Sequence, residues 1–399
     1  MANVSSSNGL EKRPRLAFRN TDGSHFPCWR QTSLGCIIEP YSEKVYGEHD
    51  YEVLTSSREG LQRQEDHFGS KQRHDTDGYN IIPFGYCTYR NRSDDGKFAF
   101  NINTISEKAI VSKFYPVFRF TNANSTFMAE FLNSSPRVKK KLSVLAVGTS
   151  QVVLSFEALK AAKFDLPCKD EQDKIAVFLE CLNTRIENQR TLVVALKKYK
   201  RGVVDGIFSR KLNFSYPQTW AELEISELFM PISDKGYSDK IVLTIVQGEG
   251  TMPRDSVDRR IAYDKSTISS YKRVLPNDFI LHLRSFEGGL EIVNEEGVVS
   301  PAYTILRARN EIIPLFFYTF FRSYWFINSK LRISVEGIRD GKSINMNTFW
   351  HIKVPVPSIE EQRHISALIS SIDNRIKIAE FEYKRLLQIR VGLMQQLFI

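Results

Sequence analysis

The sequence predicts an α+β protein built twice over. Two mixed α/β domains are related by a pseudo-two-fold repeat and separated by a pair of long antiparallel coiled-coil helices. Three observations carry this. The stretch Pro167 to Phe208 recurs without a gap at Pro357 to Phe398, 190 residues later, with 9 identities in 42 positions. Both copies carry an apolar 4-3 repeat, the seam of a helix that packs lengthwise on another helix. A second echo lies upstream, where AIVSKFYPVFR (109–119) aligns with GVVSPAYTILR (297–307). A repeat of this size implies a pseudo-two-fold molecule.

The long helices come first because they are the clearest. In the first copy the seam is Ile175, Leu179, Leu182, Ile186, Gln189, Val193, Leu196, Lys200, Val203 and Ile207. In the second it is Ile365, Ile369, Ile372, Ile376, Ala379, Tyr383, Leu386, Arg390, Leu393 and Leu397. Each copy predicts one helix of about 38 residues, roughly 57 Å long at 1.5 Å per residue. Ser358, three residues before Glu361, forms a capping box. The first copy has Cys168 at that place, and Asp170 and Glu171 favour its helix N-terminus instead. Two bare seams are unstable in water. A dyad perpendicular to the helices pairs them antiparallel, with a globular domain at each end of a rod.

The rest divides accordingly. Residues 1–155 form the first domain, with 1–13 expected to be disordered; 156–210 form the first helical spacer, 211–345 the second domain and 346–399 the second spacer. Leu16, Phe18, Trp29 and Leu34 read as a lead-in to the first domain, and Leu212, Phe214, Trp220 and Leu223 as a lead-in to the second. Strands are expected at Ile81–Tyr89, Phe98–Ile102 and Ala109–Phe120, then a short helix at Phe127–Leu132. The second domain reads alike, with strands at Ile241–Val246, Phe279–Leu283 and Gly297–Arg307 and an apolar helix from Pro314.

Composition narrows the function. The net charge of +9 favours an anionic partner. Five cysteines form no CxxC pair, and the seven histidines have no metal-ligand spacing, so neither a zinc site nor a disulfide framework is indicated. No apolar segment follows Met1, and Arg322 interrupts the apolar run Ile312–Asn328, so neither a secretory signal nor a membrane span is expected and the cytoplasm fits. GIRDGKS (337–343) has three residues between Gly337 and Gly341-Lys342 where a phosphate-binding P-loop needs four, and reads as a basic turn. There is no Asn/Asp-Pro-Pro-aromatic tetrapeptide, no Gly-rich methyl-donor loop and no acidic partner for the Glu382-to-Lys384 motif. No catalytic residue and no metal ligand is assigned, and catalysis by this chain alone is not expected.

The ending IKVPVPSIEEQRHISALISSIDNRI…GLMQQLFI, its weaker twin FDLPCKDEQDKIAVFLECLNTRI…GVVDGIF, and GVVSPAYTILR resemble the specificity subunit of a type I restriction–modification enzyme. The resemblance covers nearly the whole chain. It implies two target-recognition domains that each read one part of a bipartite site on double-stranded DNA. It implies a helical spacer that binds two modification subunits, which methylate adenine with S-adenosylmethionine. It also implies restriction subunits that translocate and cleave DNA with ATP and Mg2+. This chain would hold none of those cofactors. The first copy departs from the pattern at Cys168-Lys169 and Asp205-Gly206, which bears on equal affinity of the two helices for their partners. Phe178, Ile378, Phe381, Leu387 and Ile389 lie off the seam, which favours bound partners over the alternative, a stand-alone two-headed DNA-binding protein.

Lys and Arg hold phosphates, and Arg, Lys, Asn and Gln read base edges. Candidates in the first domain are Lys71, Arg73, Arg90 and Arg92, with the basic run Lys139, Lys140 and Lys141; in the second they are Lys265, Lys272, Arg273 and Arg284. Arg119 and Arg307 recur at equivalent strand ends, which points to a structural role in both domains. Lys197, Lys198, Lys200 and Arg201 on the first long helix flank DNA or face solvent.

Overall fold

The computed structural model describes residues 14–70, 75–212, 219–257, 265–282, 288–337 and 342–398. The expectation for residues 1–13 falls outside them. The chain divides into two compact units, Met1–Gln189 with Glu382–Ile399, and Arg190–Phe381. The described helices are α1 (Gln64–Phe68), α2 (Ser125–Ser134), α3 (Pro136–Leu145), α4 (Phe156–Ala161), α5 (Lys169–Phe208), α6 (Ile225–Leu228), α7 (Pro314–Phe321), α8 (Met346–Trp350) and α9 (Ile359–Leu397). The two long helices are α5 and α9, at 40 and 39 residues. The first half of α5 belongs to the first unit and its second half to the second, and the reverse holds for α9.

Each unit contains a four-stranded antiparallel sheet of the same order. In the first, Val117–Phe120 lies between Ile38–Tyr41 and Cys87–Tyr89, and Phe100–Ile102 closes the far edge. In the second, Tyr303–Ala308 lies between Phe229–Ile232 and Phe279–His282, with Glu291–Ile292 beyond. The second part of the echo noted in the sequence is therefore the same interior strand in both units. The first unit adds a second sheet, in which Glu52–Ser57 pairs parallel with Lys108–Val111. The last part of each lead-in finds an equivalent place, while Phe214 lies outside the described residues. Arg30–Ser33 pairs with Lys163–Leu166, and Ala221–Glu224 with Lys353–Val356, just before each long helix.

Three expected strands are each two strands joined by a tight turn. Ile81–Tyr89 breaks at Gly85, whose φ of 80° suits glycine, and its parts Asn80–Pro83 and Cys87–Tyr89 join different sheets. Ala109–Phe120 breaks where the Tyr115 N–H donates to the Ser112 carbonyl, and Gly297–Arg307 breaks the same way between Tyr303 and Ser300. An apolar run reads straight through the last two turns because they carry no glycine. The short helix at Phe127–Leu132 runs wider, as α2, because Asn124 accepts from the Phe127 N–H. α3 was missed as a helix, although Ser135 caps it and Pro136 opens it.

The repeated Glu-Gln pair has a physical cause. Gln172 is buried; its Oε1 accepts from the Asn124 N–H at the start of α2, and its Nε2 donates to the Pro167 carbonyl. Gln362 does the same, accepting from the Ile313 N–H at the start of α7 and donating to the Pro357 carbonyl. One amide thus ties the leading proline, the start of a long helix and the first helix after the echo strand. Proline cannot donate, so its carbonyl is the backbone group available to the amide.

The far ends are held by aromatic packing. Phe398 meets Phe127 and Phe131 of α2 edge to face, with centroids 5.9 and 5.5 Å away. Phe208 meets Phe316 and Phe320 of α7 in the same way, at 5.6 and 5.0 Å. So the first unit holds the start of α5 and the end of α9, and the second holds the start of α9 and the end of α5. In the second unit Lys200 meets Asp373 and Lys197 meets Glu380, both at 2.6 Å, which runs α5 and α9 antiparallel there. In the first unit Arg390 donates to Asn183 at 2.9 Å and pairs with Glu130 at 2.7 Å. All twenty seam residues are wholly or partly withdrawn from solvent.

Two stability outcomes follow from this packing. Phe398→Ala empties a filled aromatic pocket and should cost about 3–5 kcal/mol. Gln362→Leu leaves the Ile313 N–H and the Pro357 carbonyl unpaired, at about 1–3 kcal/mol for each group. Chemical denaturation of the full chain checks both. A loss under 1 kcal/mol in each, a threshold about as small as one net hydrogen bond, would show that these contacts do not hold the helices.

Candidate nucleic-acid interface

The first unit presents a cleft of about 550 Å³ over the strand Glu52–Ser57, walled by α1 and by the turn that precedes the echo strand. Its polar lining includes Arg58, Gln64, His67, Arg90, Ser112 and Tyr115. A shallower hollow of about 140 Å³ shares Arg58 and Arg90 and adds Arg92 and Lys97. The floor is pinned from below, where Asn101 Nδ2 donates to Ser56 Oγ and to the Ser57 carbonyl, both at 2.8 Å.

The cations differ in how far they are committed. Arg58 pairs with Asp95 at 2.6 Å, and Lys97 reaches the same carboxylate at 3.5 Å. Partial desolvation pushes the Asp95 pKa up. Hydrogen bonds from Ser93 and the Lys97 N–H and the Arg58 guanidinium outweigh it and hold the carboxyl at about 2. Arg92 lies over the Phe114 ring, 5.1 Å from its centroid. Arg90 is exposed, and no ion pair holds it among the described residues. Its charge reaches Tyr115, whose phenol pKa burial raises and Arg90 draws back.

The second unit repeats this last relation. Burial raises the phenol pKa of Tyr303, the repeat equivalent of Tyr115, and the Arg254 charge lowers it. Arg254 opens the short turn Arg254–Ser256. An arginine beside the echo tyrosine is thus common to both units. Arg254 and Arg58 were missed in the sequence because neither lies in a basic run. The echo tyrosines were the signal that could have led to Arg90 and Arg254.

The other sequence candidates fall out as follows. Lys71, Arg73 and Arg284 lie outside the described residues, as does the side chain of Lys265 and most of the GIRDGKS turn. Two candidates have partners within the second unit. Lys272 donates to the Tyr303 carbonyl at 2.6 Å. Arg273 pairs with Glu296 at 2.9 Å and lies over the Tyr237 ring. Lys139, Lys140 and Lys141 sit on α3, away from the cleft lining; Lys141 donates to the Lys163 carbonyl and lies over Phe164. Burial first, then the charges of Lys97 and Arg390, lower the Lys139 pKa. Arg119 donates twice to Glu39, and Arg307 makes a bidentate pair with the buried Asp278 at 2.7 Å per bond. Those two arginines brace their strands. No group of three or more His, Cys, Asp or Glu residues that could hold a metal occurs among the described residues. No helix among them is long and apolar enough to cross a membrane.

The chain thus holds two α+β units, each with an arginine beside a repeated tyrosine. The family model for the type I restriction modification DNA specificity domain matches residues 39–196 and again 217–388. The chain belongs to that family and carries its domain twice. The MjaX and MjaVIII type I restriction enzyme specificity subunits of Methanocaldococcus jannaschii are each 24% identical to it, over 224 and 215 residues. Each match takes in 52% of this chain, so the chain spans about half the length of the curated relatives it matches, 51% and 47%. The crystal structure of a type I restriction-modification S subunit from M. genitalium shares the fold. It is 18% identical, with a TM-score of 0.55 over 97% of this chain and 99% of that one.

If the first cleft reads DNA, Arg90→Ala should weaken binding to the target duplex by about 1–3 kcal/mol. Arg119→Ala, whose guanidinium is spent on Glu39, should leave it unchanged. Titration of a labelled duplex by fluorescence anisotropy checks both, and equal losses would remove Arg90 from the interface.

Proposed function

We propose that this chain is the DNA-reading subunit of a type I restriction–modification complex. The observation that carries the reading is the double match to the specificity-domain family, on two halves that share sheet order, glutamine lock and arginine–tyrosine pair. Each unit reads one half-site of a bipartite DNA target, and a non-specific spacer separates the two. Residues 1–155 and 211–345 act as the readers, and 156–210 and 346–399 as the helical spacers that bind two modification subunits. Restriction subunits join for ATP-dependent translocation and cleavage. This chain performs no catalysis; S-adenosylmethionine, ATP and Mg2+ belong to those partners. Such a complex works in the cytoplasm.

Several features support the partner assignment. Val177 on α5 is two-thirds exposed, as are Ile378 and Phe381 on α9, with Val194, Leu387, Ile389 and Val391 also showing. Bare apolar residues on otherwise polar helices call for cover. Of the off-seam residues named from sequence, Phe178 is the exception. It is half-buried and packs edge to face on Phe18, 5.7 Å away. Lys-rich and Arg-rich surfaces around the cleft suit phosphates, and their contribution falls steeply with salt.

Genome-wide mapping of methylated adenine tests the reading. Wild-type cells should show one motif of two short half-sites. Replacing residues 20–155 with the matching domain of a relative should change one half-site and leave the other. Co-expression with the modification subunit should give one specificity chain to two modification chains. DNA binding with no modification partner and no methylated motif would instead favour the stand-alone two-headed binder.

A further inference from the structure

A further cavity lies wholly within the second unit. It measures about 710 Å³ and lies between the last third of α5, the end of α7 and the π-helical turn Phe326–Lys330. That is the size of a small-molecule site, and single π-helical turns occur often at functional positions. The walls mix charge and rings. Arg201 and Asp205 line the cleft one helical turn apart on α5. Neither has a side-chain partner among the described residues, and Asp205 Oδ1 is a buried acceptor without a donor. Tyr324 also lines it and stands 67% exposed.

Opposite them, Arg322 is held in place. Its Nη1 donates to Tyr318 Oη at 2.6 Å, and that hydroxyl donates to Glu291 Oε2 at 3.0 Å. Arg322 Nε lies 3.5 Å from Glu291 Oε1, near enough for charge compensation yet outside hydrogen-bond geometry. Lys197 and Lys200 on the same wall are already paired with Glu380 and Asp373. The groups left for a ligand are therefore Arg201, Asp205, Tyr324 and the outer edge of Arg322.

The internal repeat shows that the scaffold does not require these charges. At the equivalent positions of α9 stand Leu387, Val391 and Gln395 in place of Lys197, Arg201 and Asp205. The glutamine lock and the terminal phenylalanine keep their identity in both copies, whereas these do not. An unpaired buried acceptor such as Asp205 Oδ1 costs stability unless a ligand uses it, and the exposed Arg201 guanidinium stands free beside it.

We propose that this cleft binds a nucleotide. The phosphate lies on Arg201 and Arg322, the base stacks on Tyr324, and a base or sugar N–H or O–H donates to Asp205. Aromatic stacking and an arginine on the phosphate are how proteins hold an unpaired nucleotide. An acidic side chain in such a site accepts from a base amino or ribose hydroxyl group. The same chemistry is offered by a nucleotide within a DNA strand and by a free nucleotide. The strand-borne source rests on the DNA-reading assignment, and the free source does not.

Two probes separate them on the full-length chain, each followed by fluorescence anisotropy: a fluorescent adenine mononucleotide, and a fluorescein-labelled single-stranded oligonucleotide. Arg201→Ala and Tyr324→Ala should each weaken one probe tenfold or more, equal to about 1.4 kcal/mol at 25 °C. Asp205→Ala should do the same. Lys377→Ala, exposed on α9 and outside the cleft, should change neither, and melting temperatures should stay at the wild-type value. Loss of the mononucleotide identifies a free ligand; loss of the oligonucleotide alone identifies a nucleotide of the strand. Full retention of both probes by all three cleft variants overturns the proposal, and tighter binding by Asp205→Ala overturns its acceptor. Binding of the target duplex, with Arg90→Ala as its sensitive variant, is measured alongside. Duplex binding that survives while the cleft variants do nothing sinks this inference alone; a chain that binds no duplex but still takes the mononucleotide sinks the DNA-reading assignment alone.

Discussion

The architecture depends on two buried amides. A long amphipathic helix fixes its own axis, but nothing within it says where that axis points relative to a globular body. Gln172 and Gln362 supply that direction. Each spends its carbonyl on the first free N–H of a short helix and its amino group on a proline carbonyl. A side-chain amide can accept and donate at once in one plane, and glutamate or leucine cannot. With the amide shielded from water, each bond is stronger and each loss dearer. The identity of Glu-Gln in the two copies thus follows from a geometric requirement.

Around that fixed frame the two units diverge in their surfaces. The sheet order, the lead-in strands and the aromatic cap of the long helix are the same in both. The cations are not. Most of those in view are tied to carboxylates, rings or carbonyls, as Arg119, Arg273 and Arg307 are. Two that no ion pair holds among the described residues, Arg90 in one unit and Arg201 in the other, lie in concave places lined with tyrosine. Positive charge in this chain is therefore informative less by its amount than by what remains after internal pairing.

The long helices and their seam were legible in the sequence because a 4-3 pattern sustained over ten positions fits a lengthwise-paired helix and little else. The echo strand was legible because it recurs. Its ends were not: SKFYP and SPAY hold turns whose only mark is a serine carbonyl three residues before a tyrosine, a feature of backbone geometry rather than of side-chain type. α3 went unread because three consecutive lysines obscured its Ser-Pro start. The candidate cations were chosen from basic runs near turns, and that rule cannot tell Arg273, held by Glu296, from Arg90, held by no ion pair among the described residues. Pairing is a three-dimensional property, and sequence carries it only where both partners repeat.

The ion pair between Glu130 and Arg390 joins residues 260 positions apart, inside a unit whose aromatic core also needs Phe398. The second unit, by contrast, is one uninterrupted segment, Arg190–Phe381. On a ribosome the order of completion is therefore inverted. The half that emerges first waits with Phe127 and Phe131 uncovered while the later half is made and can close. Contacts of such long sequence separation slow folding and prolong the exposure of sticky surface. A nascent chain of this design is a client for chaperones until its last helix turn arrives, and a premature stop near its end would cost it the beginning.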